Sequence, residues 1–95
     1  MDSDFPKETK FELGHLCATP GVLDSVLQEE MLSALKRHAR GDWGELGPED
    51  AQRNDCSVKE GSRILSAYRS STGVRFWIIT EGDRSATTML LPEEY

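Results

Sequence analysis

Cysteine, histidine and aromatic residues are scarce in this chain, and no stretch stays apolar for long. Of 95 residues two are Cys, two His, two Trp, two Tyr and three Phe. Cys17 and Cys56 form no C-x-x-C pair and lack the spacing of metal ligands. His15 and His38 stand in neither an H-x-x-x-H nor an H-E-x-x-H frame, so each reads as a packed or surface histidine. No Gly-rich phosphate loop, nucleophile elbow or paired-carboxylate motif is present. No metal, cofactor or catalytic set is therefore expected. No apolar run reaches membrane length, and no apolar leader segment opens the chain. Reduced cysteines in a cytoplasmic protein are the expectation, and nothing supports a disulfide between them.

What is present is charge and a compact set of strand-formers. Charged residues make up 29% and hydrophobic ones 37%, too apolar for a disordered chain and enough for one modest core. The net charge of −6 argues against non-specific nucleic-acid binding, for which a basic surface supplies most of the affinity. Positive charge gathers locally, at Lys36, Arg37 and Arg40 and again at Arg63, Arg69, Arg75 and Arg84.

Residues 1–9 are polar, contain Pro6 and show no periodicity, and they read as a disordered arm before a single domain spanning 10–95. Lys10–Ala18 alternates, with Phe11, Leu13, His15 and Cys17 on one side, and predicts a strand interrupted at Gly14. Thr19-Pro20 is an N-cap and N1 pair opening a short helix through Val22, Leu23 and Val26. Leu27, Met31, Ala34, Leu35 and His38 share one face of a second helix. Its acids lie early and its bases late, and Gly41 follows as a natural C′ residue. The loop Asp42–Gly47 holds Trp43 as an anchor between flexible neighbours. Pro48-Glu49-Asp50 opens a third, polar helix to about Val58, which Gly61 stops.

Three strands close the chain, at Ile64–Tyr68, Val74–Thr80 and Ala86–Leu91. The run Phe76-Trp77-Ile78-Ile79 is apolar on both faces and belongs inside a sheet covered on both sides. The order β-α-α-α-β-β-β predicts an α+β domain, an antiparallel sheet of three to four strands with helices on one face.

The segments FELGHLCATPG, RGDWGEL, RILSAYR and FWIITEGDRSATTMLLPEEY resemble a widespread family of small, plasmid-related bacterial proteins carried on mobile elements. That resemblance implies a mobile-element context and no mechanism. The closing strands are also similar, over about a quarter of the chain, to barnase-like metal-independent ribonucleases. There Arg63 matches a phosphate-holding arginine, while Arg84 stands where that family has its general-acid histidine. An arginine cannot donate a proton near neutral pH, so the similarity implies a degenerate or unusual ribonuclease.

The expected working surface is the last hairpin, with Arg63, Trp77, Asp83, Arg84 and Thr87, beside the loop of Arg40, Asp42 and Trp43. The function expected first is a protein-interaction module or inhibitor with an unidentified protein partner, acting as a monomer or homodimer. The competing explanation for Asp83 and Arg84 is a turn that caps itself, with Arg84 paired to an acid.

Overall fold

The computed structural model describes residues 9–95, so the arm expected at residues 1–9 falls outside the described residues except for Thr9. The elements are β1 (His15–Ala18), α1 (Pro20–Ser25), α2 (Gln28–Ala39), α3 (Pro48–Glu60), β2 (Ile64–Arg69), β3 (Arg75–Thr80) and β4 (Ala86–Leu90). A short 3₁₀ turn, Pro92–Glu94, follows. They form an α+β domain in the expected order, with one four-stranded sheet ordered β1-β4-β3-β2.

Helix ends follow local chemistry. Thr19 Oγ1 accepts from the Val22 N–H at 3.4 Å to cap α1, with Pro20 in the first turn. Glu29 and Glu30 lie in the first turn of α2 and Lys36, Arg37 and His38 in its last, matching the helix dipole. Gly61 ends α3 in the left-handed conformation, at φ 79°.

β2, β3 and β4 make the antiparallel meander, whereas β1 pairs with β4 in parallel, His15 opposite Ala86 and Ala18 opposite Met89. The sheet is therefore mixed. The first strand is also shorter than its alternation suggests. Gly14 turns the chain at φ 66° so close to the β3–β4 turn that a Cβ there would stand 2.4 Å from the Arg84 carbonyl oxygen. Only from His15 onward does the chain pair.

Side-chain alternation gives the sheet two unlike faces. Ile64, Ser66 and Tyr68 of β2, Phe76, Ile78 and Thr80 of β3, and Thr87 and Met89 of β4 share one face, and all are buried. α1 and α2 cover it with Val22, Met31, Ala34 and Leu35. A second cluster of Phe11, Trp43 and Ile64 extends this core towards Ala51 and Val58 of α3.

The opposite face carries Leu65, Ala67, Trp77, Ile79, Thr88 and Leu90, of which Ala67, Ile79 and Leu90 are buried and the others half-buried. The closing 3₁₀ turn packs against β3. β3 is interior to the sheet as its composition requires, with Phe76 and Ile78 buried on one face and Ile79 buried beside the half-buried Trp77 on the other.

α3 runs along the outer edge of β2 and closes it. The Asn54 side chain donates to the Leu65 carbonyl at 2.8 Å and accepts from the Leu65 N–H at 3.4 Å, standing in for a neighbouring strand's peptide. One pleat further, the Ala67 N–H donates to the Trp43 carbonyl and the Ala67 carbonyl accepts from the Glu45 N–H at 2.7 Å. An exposed strand edge would otherwise invite pairing with another chain.

Candidate functional site

The residues singled out in sequence divide into those that hold the fold and those that face outward. Arg84 belongs to the first group. It is the one non-glycine residue at positive φ among the described residues, at 62°. Its guanidinium donates to three backbone carbonyls, Ser62 at 2.7 Å, Ser57 at 2.8 Å and Glu81 at 3.2 Å. Ser57 lies in the last turn of α3, where a cation suits the negative end of the helix dipole. The side chain also lies over the Phe11 ring, 5.5 Å from its centroid. Arg84 thus ties the β3–β4 turn to the end of α3, through carbonyls where the self-capping reading had an acid.

Arg84→Ala is expected to lower stability by about 2 kcal/mol, because three charge-assisted bonds disappear from a partly exposed position. Arg84→Gly should lose roughly 1 kcal/mol less, since glycine relieves the left-handed backbone. Urea unfolding midpoints test this, and an Arg84→Ala midpoint equal to wild type would show that the clasp contributes nothing.

Asp83 is exposed, and its carboxylate accepts from the Ser85 N–H at 3.0 Å. Hydrogen bonding from Ser85, side chain and backbone, holds the Asp83 carboxyl below the usual carboxylate range. This is a self-capped turn.

Thr87 has no exposed surface. Its hydroxyl donates to the Leu13 carbonyl at 2.7 Å and lies 2.7 Å from the Thr80 hydroxyl. Thr80 is in turn 2.8 Å from His38 Nε2, and His38 Nδ1 meets the Ser66 hydroxyl. Hydrogen-bond directions along this chain follow from its end. A carbonyl only accepts, so Thr87 spends its proton on Leu13 and must accept from Thr80. Thr80 then accepts from His38, which fixes a proton on Nε2, and on a neutral ring Nδ1 accepts from Ser66. Burial pushes the His38 pKa from 6.5 down to about 3, which keeps the ring neutral at pH 7. Phe11 and Trp43 wall the ring, with centroids at 5.3 and 5.8 Å and nearly perpendicular planes.

Trp43 is buried, and its indole N–H donates to Asp55 Oδ1 at 3.1 Å, tying the loop to α3. Asp42 takes two hydrogen bonds from Arg37, at 2.8 and 3.2 Å, and one from the Gly44 N–H. The Arg37 guanidinium holds its carboxyl below the ordinary range. Arg40 is exposed. Arg69 and Arg75 are cross-strand partners, and Glu45 answers both, at 3.1 and 3.8 Å. That acid prevents the pair from forming an anion-attracting stripe.

Arg63 and Trp77 face outward and meet through a residue that sequence reasoning missed. The Tyr95 ring lies edge-on to Trp77 with centroids 5.7 Å apart, and the Arg63 guanidinium carbon is 5.1 Å from the same ring. Arg63 and Tyr95 are exposed and Trp77 is half-buried. Tyr95 is positioned by its neighbour. Glu94 accepts from the Thr19 hydroxyl and from the Gly21 and Leu91 N–H groups, each backbone bond 2.9 Å, and so fastens the closing turn to the start of α1. Nothing in the sequence pattern marked Tyr95, because its neighbours are set by strands far away in the chain.

Beside this stack, between α3 and the start of β2, lies a cleft of about 270 Å³ lined by Leu46, Asp50, Arg53, Asn54, Arg63 and Leu65. Among the described residues no group of three or more His, Cys, Asp or Glu is arranged to hold a metal ion. No helix there is long and apolar enough to cross a membrane. Compared with protein-family models, curated proteins and solved structures, the chain matches none in any of the three.

Proposed function

We propose that this protein is an interaction module that binds a protein partner through the outward-facing group of Arg63, Trp77 and Tyr95. The observation that carries this reading is the contact of Tyr95 with both Trp77 and Arg63, in a group whose tyrosine and arginine are exposed. These three residue types dominate binding energy at protein interfaces, because they combine large contact area with a directional polar group. Here they support one another's orientation before any partner arrives, which lowers the ordering cost of association. The net charge of −6 suits a partner with a basic surface, such as a nucleic-acid-handling protein of the cytoplasm, which an acidic module would inhibit by covering it. Arg84 and Thr87 play no part in this surface, since their polar atoms are taken up by Ser57, Ser62, Glu81, Leu13 and Thr80.

Capture of a stoichiometric protein from nuclease-treated host extract by the tagged chain tests the reading. Trp77→Ala and Arg63→Ala should each reduce capture at least about tenfold. Arg40→Ala, exposed and on a different element, should leave it unchanged. Equal capture by all three variants, or material lost on nuclease treatment, would sink the proposal.

A further inference from the structure

We infer that the cleft between α3 and β2 is a binding site for a small monocarboxylate joined to an apolar group. The cleft is a different surface from the aromatic stack, although Arg63 borders both. At about 270 Å³ the cleft has room for about nine waters at roughly 30 Å³ each, the scale of a fragment-sized ligand. Leu46 and Leu65 give it apolar walls, and both side chains are half-buried. Among its polar residues Asn54 is already committed, since its carboxamide holds the Leu65 backbone on both sides. The remaining polar groups are the guanidiniums of Arg53 and Arg63 and the carboxylate of Asp50.

Charge decides the class of ligand. Two arginines and one aspartate line the cleft, leaving one positive charge to be answered. Asp50 engages Arg53 only loosely, at 3.7 Å with both side chains more than half exposed. Arg63 makes no ion pair among the described residues and rests on the Tyr95 ring. A single carboxylate balances the site and suits the planar donor fork of arginine. A dianionic phosphate would overshoot that balance, press against Asp50 and leave the leucine walls uncovered. Asp50 has a further use, as acceptor for an N–H beside the ligand's carboxylate. An N-acylated apolar amino acid meets all three requirements, whether free or as the last residue of a protein.

The test is an NMR titration of the full chain with N-acetyl-leucine, N-acetyl-leucinamide and inorganic phosphate, observing arginine Nε–H and leucine methyl signals. The acid should shift Arg53, Arg63, Leu46 and Leu65 saturably, with the amide and phosphate at least tenfold weaker. Arg53→Gln should weaken the acid about ten- to hundredfold, and the fold should persist because Arg53 is exposed. A peptide with a C-terminal leucine distinguishes the sources. Binding tighter than the free acid assigns the site to a protein terminus, and equal or weaker binding assigns it to a small metabolite-sized acid. Equal shifts from acid and amide, phosphate binding as tightly as the acid, or no saturable shift would each overturn the assignment. Arg53→Gln keeps Trp77 and Tyr95 intact, and Trp77→Ala keeps Arg53 and Asp50. Loss of acid binding with retained partner capture, or the reverse, therefore separates the fate of this site from that of the partner surface.

Discussion

Lowering the pH from 7 to 4.5 is expected to remove several kcal/mol of stability from this protein, through His38 alone. The folded state keeps His38 neutral, with a pKa near 3, while in the unfolded chain it titrates at 6.5. Between those values the unfolded state binds the extra proton, so stability falls as pH falls. The contribution is fully present above 6.5 and drains away towards 3. At 1.36 kcal/mol for each unit, the full depression corresponds to roughly 3–5 kcal/mol. A domain of this size is stable by roughly 5–15 kcal/mol, so the effect is a large part of the total. The structural cause is burial of the ring, which takes the charged form out of water. A second ring proton would point at the Ser66 hydroxyl, which now donates to that nitrogen, and it would bring a charge into a pocket walled by Phe11 and Trp43.

The carboxylates held below their ordinary range, Asp42, Glu45, Asp83 and Glu94, act in a different window. Their contributions are complete above their unfolded values of 3.8–4.5 and are lost only below them. Urea unfolding at pH 7, 6, 5 and 4.5 therefore isolates the histidine. His38→Gln supplies the control. Its amide can donate to Thr80 but leaves the Ser66 proton without a partner, so it should cost about 1–3 kcal/mol at pH 7. Over the same pH range its stability should stay nearly level, and the two curves should converge on acidification. A wild-type curve as level as that of the variant would refute the neutral, buried assignment.

That network shows where sequence reading stops. His38 was legible as the last of five residues on one helical face, because a 3.6-residue period needs only local spacing. Met31, Ala34, Leu35 and His38 are buried in α2, while Leu27 is its exposed N-cap. Ser66, Thr80 and Thr87 lie in three strands, and which of them meet depends on pairings such as Thr80 with Thr87 and Ser66 with Ile78. No short-range pattern fixes such register. The same limit hid the parallel pairing of β1, which joins residues 15–18 to residues 86–89. It also hid the contact of Tyr95 with Trp77. Turn and cap chemistry was readable, at Thr19, Pro20, Gly41 and Gly61, because there the cause lies within a few residues. For the candidate site the result is divided. Composition identified Arg63 and Trp77 as notable, but only the fold reveals that Arg84 is spent on carbonyls and that Arg53 borders a cleft.

Gly44→Ala is expected to be among the most damaging single-methyl additions available to this chain, at about 4 kcal/mol. Two independent effects combine at this position. The backbone is left-handed, at φ 74°, which costs an L-residue roughly 1–2 kcal/mol. The added Cβ would also stand 1.9 Å from the Ala67 carbonyl oxygen and 2.8 Å from the Tyr68 ring. Backbone cannot yield as a flexible side chain does, and overpacking of this kind costs typically 1–3 kcal/mol. Relief requires the segment Trp43–Glu45 to withdraw from β2. That withdrawal breaks the bonds between Ala67 and its neighbours Trp43 and Glu45, and it loosens the Trp43 indole from Asp55. It also exposes a sheet edge that the fold otherwise keeps closed. Gly73→Ala separates the two effects, because Gly73 has a similar φ of 89° with nothing within 4 Å of the added methyl. It should therefore cost only the backbone portion. Urea midpoints ranking wild type above Gly73→Ala, and Gly73→Ala well above Gly44→Ala, would show that close approach of the loop to β2 contributes more than conformation alone. Equal midpoints for the two variants would mean that the loop can retreat freely. Trp43 would then be held by its own burial among Phe11 and His38, and the edge of β2 would rest on Asn54 alone.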